Sequence, residues 1–415
     1  MKRLALHLIT AFAPIAAPFA EAAYETPPTV HAADLLPAKI LSGPRYTVEA
    51  SVPTDGFMGI FRIHSDFGDF ECVGREMFYT RIDEIRALEE LEQVSKTKAF
   101  IDAAKGAVEE PVKAAVKIVK HPGDSIIETP GGVARFFGKV VSGAGDAGKG
   151  VAHLVKPDES KAGHPKPPPS REDPIGYNKA RSEWARKLGV DPYTTNRVLA
   201  VKLNHLGMIS FGTDKVTGAG LGFATGGLGP IAEYLSWLPD LDEHVLTAPP
   251  ADVSVINEGK LASLGVSKPA MKPLLENPWI SPTLQSRFVK GLMRLKGATN
   301  AEALVGLAAF VESEEQARFV CRGLEMLGHY HEKVAPLREL RVYFGVPAAV
   351  AADGALVVAT DVDLLAWTKL TAEFAEGRDS ATGRSVLLAA GPLTQRAREG
   401  FAARGWRVME TPAHS

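Results

Sequence analysis

The sequence predicts an α+β protein, predominantly helical. A small N-terminal antiparallel β-sheet with a helix precedes a central helical domain and a small C-terminal α/β sandwich. Three observations predict it. Residues 45–79 hold short β-branched and aromatic runs broken by Pro53-Thr54-Asp55-Gly56 and Asp66-Phe67-Gly68-Asp69, which have turn chemistry. Residues 176–334 repeat the start and stop signals of helices. From about Arg338 onward strand-like and helix-like runs alternate, the pattern of a sheet with helical connections.

The first residues are read before any fold. Lys2 and Arg3, an apolar run from Leu4 to Ala20, and Ala20-Glu21-Ala22 follow the order of a secretory signal peptide occupying residues 1–22. Cleavage is expected near Ala22 or Ala23, so that the mature chain starts close to Tyr24. Pro14 and Pro18 interrupt the run, which falls short of the roughly 20 uninterrupted apolar residues of a spanning helix. The expected location is therefore periplasmic or secreted. The only cysteines, Cys72 and Cys321, leave two alternatives open, one disulfide or two small buried thiols. With 47 Lys and Arg against 49 Asp and Glu, the charge balance gives no reason to expect nucleic acid as a partner.

Within 40–105 a sheet of about three strands, by the alternation of its runs, leads into a helix expected from about Thr80. There Ile82, Ile85, Leu88, Leu91 and Val94 recur at helical spacing, with Asp83, Glu84, Glu89, Glu90 and Glu92 read as its solvated face. Residues 106–155 are rich in Ala, Gly and Lys. Val133, Phe136, Phe137, Val140, Val141, Ala144, Val151, Leu154 and Val155 follow one helical face, while Arg135, Lys139, Asp146 and His153 fall opposite, a mildly basic amphipathic pattern. Residues 156–175 form a Pro-rich charged linker that cannot build a core.

The helical domain, 176–335, includes "NKARSEWARKLG" ending in Gly189 and "TTNRVLAVKLNHLG" ending in Gly207. It also includes "SPTLQSRFVKGLMRLKG" and "SEEQARFVCRGLEMLGHYHEKV", each opening on Ser. The α/β unit, 336–412, reads as strand, hairpin turn at Asp353-Gly354, helix "LLAWTKLTAEFAEG", strand "RSVLLAAG", helix "LTQRAREGFAARG" and strand "WRVME", with one helical layer.

Several motifs bear on chemistry. Gly143, Gly145 and Gly148 spell G-x-G-x-x-G, and Gly143, Gly148 and Lys149 spell a phosphate loop with Gly150 where Ser or Thr is required. The residues before them are amphipathic and helical, and Asp158 and Glu159 sit in the linker with no strand to carry them, so no nucleotide is expected. Gly218, Gly222 and Gly226 lie at four-residue spacing in a charge-free stretch, suited either to close helix contact or to a buried connector. Gly123-Asp124-Ser125 resembles the nucleophile block of the GDS-type esterases over three residues. A preceding hydrophobic strand and a downstream Asp-x-x-His pair are lacking, so Ser125 is not assigned as a nucleophile.

Cys321, Glu325 and His329 share a helical face with His331 and Glu332 beyond, the beginnings of a zinc site, yet Cys321 lies among Phe319, Val320 and Leu324 as a core residue does. Trp279 and Tyr193 stand beside prolines and helix-capping residues, as a ligand wall or as loop staples. No catalytic, cofactor-binding or metal-ligating residue is assigned, and no cofactor is expected. The function expected is an exported envelope protein of binding or structural type rather than an enzyme, with a protein partner or the membrane surface reached through the amphipathic segment. Two alternatives stand beside it. One is an envelope hydrolase with its site between the helical and α/β regions, and the other is a pore-forming or toxin-like protein using Val216 to Leu238.

Overall fold

A computed structural model describes residues 24–95, 177–212, 248–377 and 383–410. The leader, the segment 106–155 with its glycines, Ser125 and Phe136, the linker, and the Gly218 to Gly226 stretch lie outside the described residues. What is described is a mixed α+β fold with antiparallel sheets first, helices in the middle and a five-stranded mixed sheet last.

Strand β1 (Thr29–His31) runs into a short helix α1 (Ala32–Leu35) and pairs only with β4 (Ser51–Pro53). Strands β2 (Ser42–Gly43), β3 (Tyr46–Val48), β5 (Ile60–Ser65) and β6 (Gly68–Val73) form an antiparallel sheet in the order β2-β3-β5-β6. Along β5 the alternation is clean: Phe61 and Ile63 are buried, while Arg62 and His64 face water and pair with Glu71, Glu49 and Asp69. The buried face packs on Phe78 and Ile82 of helix α2 (Arg75–Ser95).

Helix α2 begins before Thr80, at Arg75. Gly74, at φ +88°, ends β6 in a conformation that L side chains rarely adopt. The cap comes from far along the chain, since Asp363 Oδ1 accepts from the Arg75 backbone N–H at 3.2 Å. The acidic residues of α2 do not form a solvated face as expected: Asp83 and Glu84 are buried, and Glu89, Glu90 and Glu92 are partly covered. Glu84 is covered by Thr194 and Asn196, Asp83 lies by Tyr46 and Arg86, and further along α2 the helices α3 (Tyr177–Leu188) and α4 (Arg197–Gly212) pack Trp184, Leu199, Leu203 and Leu206 on Leu88, Leu91 and Val94. Gly207 does not end α4, which continues to Gly212.

This bundle has a defined polarity. The 189–196 loop joining α3 to α4 sits against the middle of α2, where the Thr194 hydroxyl and the Asn196 amide both donate to Glu84. From there α4 runs in the same direction as α2, so that Glu92 acts on Lys202, and α3 runs back antiparallel, with Arg181 reaching Asn204. Ser95, Tyr177 and Gly212 therefore lie at the same end of the bundle, away from the loop.

Helices α5 (Pro250–Ser263), α6 (Lys268–Leu275), α7 (Pro282–Arg294), α8 (Ala301–Ala309) and α9 (Glu314–Lys333) share a second core with the C-terminal sheet. The serines expected to open two of them do so: Ser281 Oγ accepts from Leu284 N, and Ser313 Oγ accepts from Gln316 N. The sheet comprises β7 (Leu337–Tyr343), β8 (Val346–Ala351), β9 (Leu356–Thr360), β10 (Ser385–Ala389) and β11 (Trp406–Glu410), ordered β11-β10-β9-β8-β7. The first three strands form an antiparallel meander, and β9, β10 and β11 run parallel. The crossovers are helix α10 (Lys369–Glu376) and helix α11 (Gln395–Ala403), capped by Thr368 and Thr394. Helix α10 starts later than the apolar run suggested, because Leu364 to Ala366 remain non-helical and bond to Phe57, Gly56 and Pro392.

Every residue of β9 and β10 is buried, so both sheet faces are covered, not one. The aromatic cluster of Tyr343, Phe374, Phe401 and Trp406 packs α10 and α11. The added layer comes from α8 and α9, which precede the sheet. Cys72 and Cys321 are both buried thiols not joined in a disulfide, one in β6 and one in α9. At Gly391, just past β10, an added Cβ would lie 2.4 Å from the carbonyl oxygens of Val362 and Asp363. Gly391→Ala is therefore expected to cost about 1–3 kcal/mol, read as a lower urea midpoint at unchanged m-value.

Candidate functional site

In open α/β sheets, ligands bind outside the carboxyl ends of parallel strands. Here that place lies where β9 ends at Thr360 and the chain turns through Asp361, Val362 and Asp363, beside Ala390 and Gly391 at the end of β10. The amino end of α2 fills much of it. Arg75 Nε donates to Asp363 Oδ1 at 2.9 Å, and Arg75 Nη2 donates to the carbonyls of Val362 and Ala390 at 3.3 and 3.4 Å. The other oxygen of Asp363 accepts from Gly59 N at 2.9 Å. A helix amino terminus is an anion site, and Asp363 is the anion supplied by the chain itself.

Next to this contact runs a line of charges, buried at Glu76, Arg287 and Arg318 and partly buried at its other members. Glu76, in the first turn of α2, accepts at Oε1 from Arg287 Nη1 of α7 at 2.5 Å and from Arg318 Nη1 of α9 at 3.0 Å. Arg287 donates in a fork to Glu325, at 2.7 Å from Nε and 3.2 Å from Nη2. Arg318 donates to Glu314 at 2.8 and 2.6 Å. Arg322 Nη1 donates to Glu325 at 2.7 Å, and its Nε stands 3.9 Å from Asp361. At the other end the Thr195 hydroxyl joins Glu314, at 2.6 Å, to Arg81, at 2.8 Å, and Arg81 is paired with Glu84.

Helical spacing explains why these side chains meet. Glu314, Arg318, Arg322 and Glu325 recur three or four residues apart on one face of α9, and Glu76 meets them from the start of α2. Burial alone would raise the Glu325 carboxyl, but Arg287 and Arg322 outweigh it and hold it down to about 2. Burial of Glu314 is likewise outweighed by Arg318 and Arg81, and its pKa is lowered. Asp361 behaves in the opposite way: burial pushes it up to about 6, because Arg322 compensates only in part. Asp191, buried beside the line, is also raised by burial, although the Thr283 hydroxyl donates to it at 2.6 Å.

The residues singled out in sequence find other uses. Glu325 is engaged by two guanidiniums, and burial drives the Cys321 thiol up to about 12. His331 Nδ1 accepts from the Leu337 backbone, fastening the end of α9 to β7. Among the described residues no group of three or more His, Cys, Asp or Glu is arranged to hold a metal ion. Tyr193 and Trp279 act as loop staples: each backbone N–H donates to the residue two positions earlier, Asp191 and Asn277. Sequence reasoning missed Glu76, Arg287, Arg318 and Asp361, which lie far apart in the chain. The available signals were the helical pairs Glu314 with Arg318 and Arg322 with Glu325.

A separate groove of about 450 Å³ is lined by His31, Ala32, Ala33, Asp34, Leu41, Val48 and Ala50. Its lining is mainly alanine and aliphatic, which offers shape more than chemistry. No helix of the described residues is long and apolar enough to cross a membrane. No protein family, curated protein or solved structure matches this chain.

Removing one partner of a buried ion pair strands the others. Glu76→Ala is expected to cost about 3–5 kcal/mol by chemical denaturation. Glu258→Ala, which breaks only the exposed pair with Lys268, should cost under about 1 kcal/mol. The depressed Glu325 carboxyl contributes stability that is present above its ordinary pKa of 4.5 and lost as pH falls toward 2. Glu325→Gln should thus be less stable than the parent at pH 7, with the difference shrinking as unfolding is measured at pH values descending from about 4.5 to 2.

Proposed function

We propose that this is an exported, non-catalytic envelope protein that touches the membrane surface through its amphipathic segment, residues 106–155. The observation that carries the reading is where that segment joins the fold. The chain leaves at Ser95 and returns at Tyr177, both at the same end of the α2, α3, α4 bundle. Both of its attachment points thus lie at one pole of the bundle, and its sequence pattern puts Phe136 and Phe137 on one helical face with Arg135 and Lys139 opposite, the composition of a helix that lies in a lipid interface. The engagement of the strand-end charges with one another further supports a binding or structural role.

The test is liposome flotation. The chain from Tyr24 onward should float with vesicles containing anionic lipid and float less as salt is raised. A version lacking residues 106–155 should stay folded, by circular dichroism and cooperative melting, and remain at the bottom of the gradient. If neither version floats, the membrane contact is wrong, and if both float equally, the segment is not its seat.

The alternative of an envelope hydrolase is favoured by one observation: Asp361 stands at the carboxyl end of β9, at the boundary between the helices and the α/β unit. Turnover of ester, phosphate or peptidoglycan-like substrates that vanishes in Asp361→Asn would decide for it.

A further inference from the structure

The charges of the line, buried or partly buried, alternate without a break: Glu314, Arg318, Glu76, Arg287, Glu325, Arg322, Asp361. Each guanidinium stands between two carboxylates, and both ends of the line are acids, so the line holds one carboxylate more than it has guanidiniums. Adding Arg81 and Glu84 beyond Glu314 contributes one of each and leaves the excess unchanged.

The two ends are not equivalent. At the first, the Thr195 hydroxyl donates to Glu314, and Glu84 accepts from Arg81, the Thr194 hydroxyl and the Asn196 amide. At the second, Arg322 Nε at 3.9 Å is beyond hydrogen-bond distance from Asp361. Among the described residues, the charged groups that act on Asp361 are Arg322 of α9, Arg75 and Glu76 of α2, and Asp363 two residues on, with Glu325 and Arg287 next along the line. Of these, Arg75 is already committed to Asp363, and Arg322 to Glu325. The uncompensated carboxylate is thus Asp361. With its side chain 16 % exposed, it is too covered for water to solvate it freely and open enough for a proton to reach it.

We propose that Asp361 is a proton switch at the junction of α2, α9 and the C-terminal sheet: protonated, it balances the line of charges and the amino end of α2 is locked in place, and ionised, it loosens that contact. The sign follows from linkage. A carboxyl raised in the closed junction to about 6, from its ordinary 3.8, favours closure below about pH 4, and that advantage is lost as pH rises to about 6. The two-unit difference corresponds to an opening constant that increases by up to roughly 100-fold across this window.

The full chain tests it by two measurements. Carbon-detected NMR titration of the side-chain carboxyls, with Asp361 assigned through Asp361→Asn, should give a midpoint above about 5, and a midpoint at or below about 5 overturns the proposal. Hydrogen exchange at Gly59, Arg75 and Asp363, corrected for intrinsic rates, should show opening that increases between pH 4 and 7 in the parent. It should be flat in Asp361→Asn and parent-like in the control Glu258→Gln. Equal pH dependence in the parent and in Asp361→Asn also overturns it. Should Asp361→Asn fail to fold, Asp361→Glu supplies the assignment, and the titration of the parent decides alone.

Discussion

A guanidinium buried between two carboxylates constrains its surroundings more tightly than an apolar contact does, because a shift of either partner exposes a charge to a medium that cannot solvate it. Arg318, Arg287 and Arg322 are three such groups in succession. Through them α2 of the N-terminal unit, α7 and α9 of the helical region, and the loop after β9 are held in one arrangement. Net stabilisation from such a line is modest after desolvation, but misplacing any member is costly. The apolar cores supply the driving force for burial, and the ionic line fixes which helix ends meet.

The same arrangement bears on what the molecule does. Ordinarily the carboxyl ends of parallel strands, with a helix amino terminus aimed at them, form a receptive place for a ligand. Here the helix belongs to the N-terminal unit, and Asp363 takes the position of the anion. The far end of α2, at Ser95, lies at the other pole of the bundle. One helix thus connects the charged junction to the bundle pole.

Local chemistry was legible in the sequence. Ser281 and Ser313 cap the helices they precede, and Asp353-Gly354 turns the hairpin between β8 and β9, whereas Thr368 and Thr394, read as part of their helices, turn out to cap them. What could not be read was anything closed by distant residues. The start of α2 escaped because its cap, Asp363, lies 288 positions away. Glu84 looked solvated because Thr194 and Asn196, which cover it, lie more than a hundred positions further on, and Asp83 because nothing local shows that it stands beside Tyr46. The ionic line combines residues from 76 to 361, and no periodicity marks which carboxylate of a helix will meet which arginine of another. Gly207 carried a stop signal that packing of Leu203, Leu206 and Ile209 overrode.

The first described residues have a consequence for the order of assembly. Glu25 accepts from Trp367 N and from the Thr394 hydroxyl, and its own N–H donates to the Trp367 carbonyl. The first described residues and the cap of the first long helix are therefore both completed by residues 363–394, which lie 288 to 369 positions further along the chain. Closing loops of that length is slow and entropically expensive. The N-terminal unit therefore completes its native contacts only after nearly the whole chain has been synthesised.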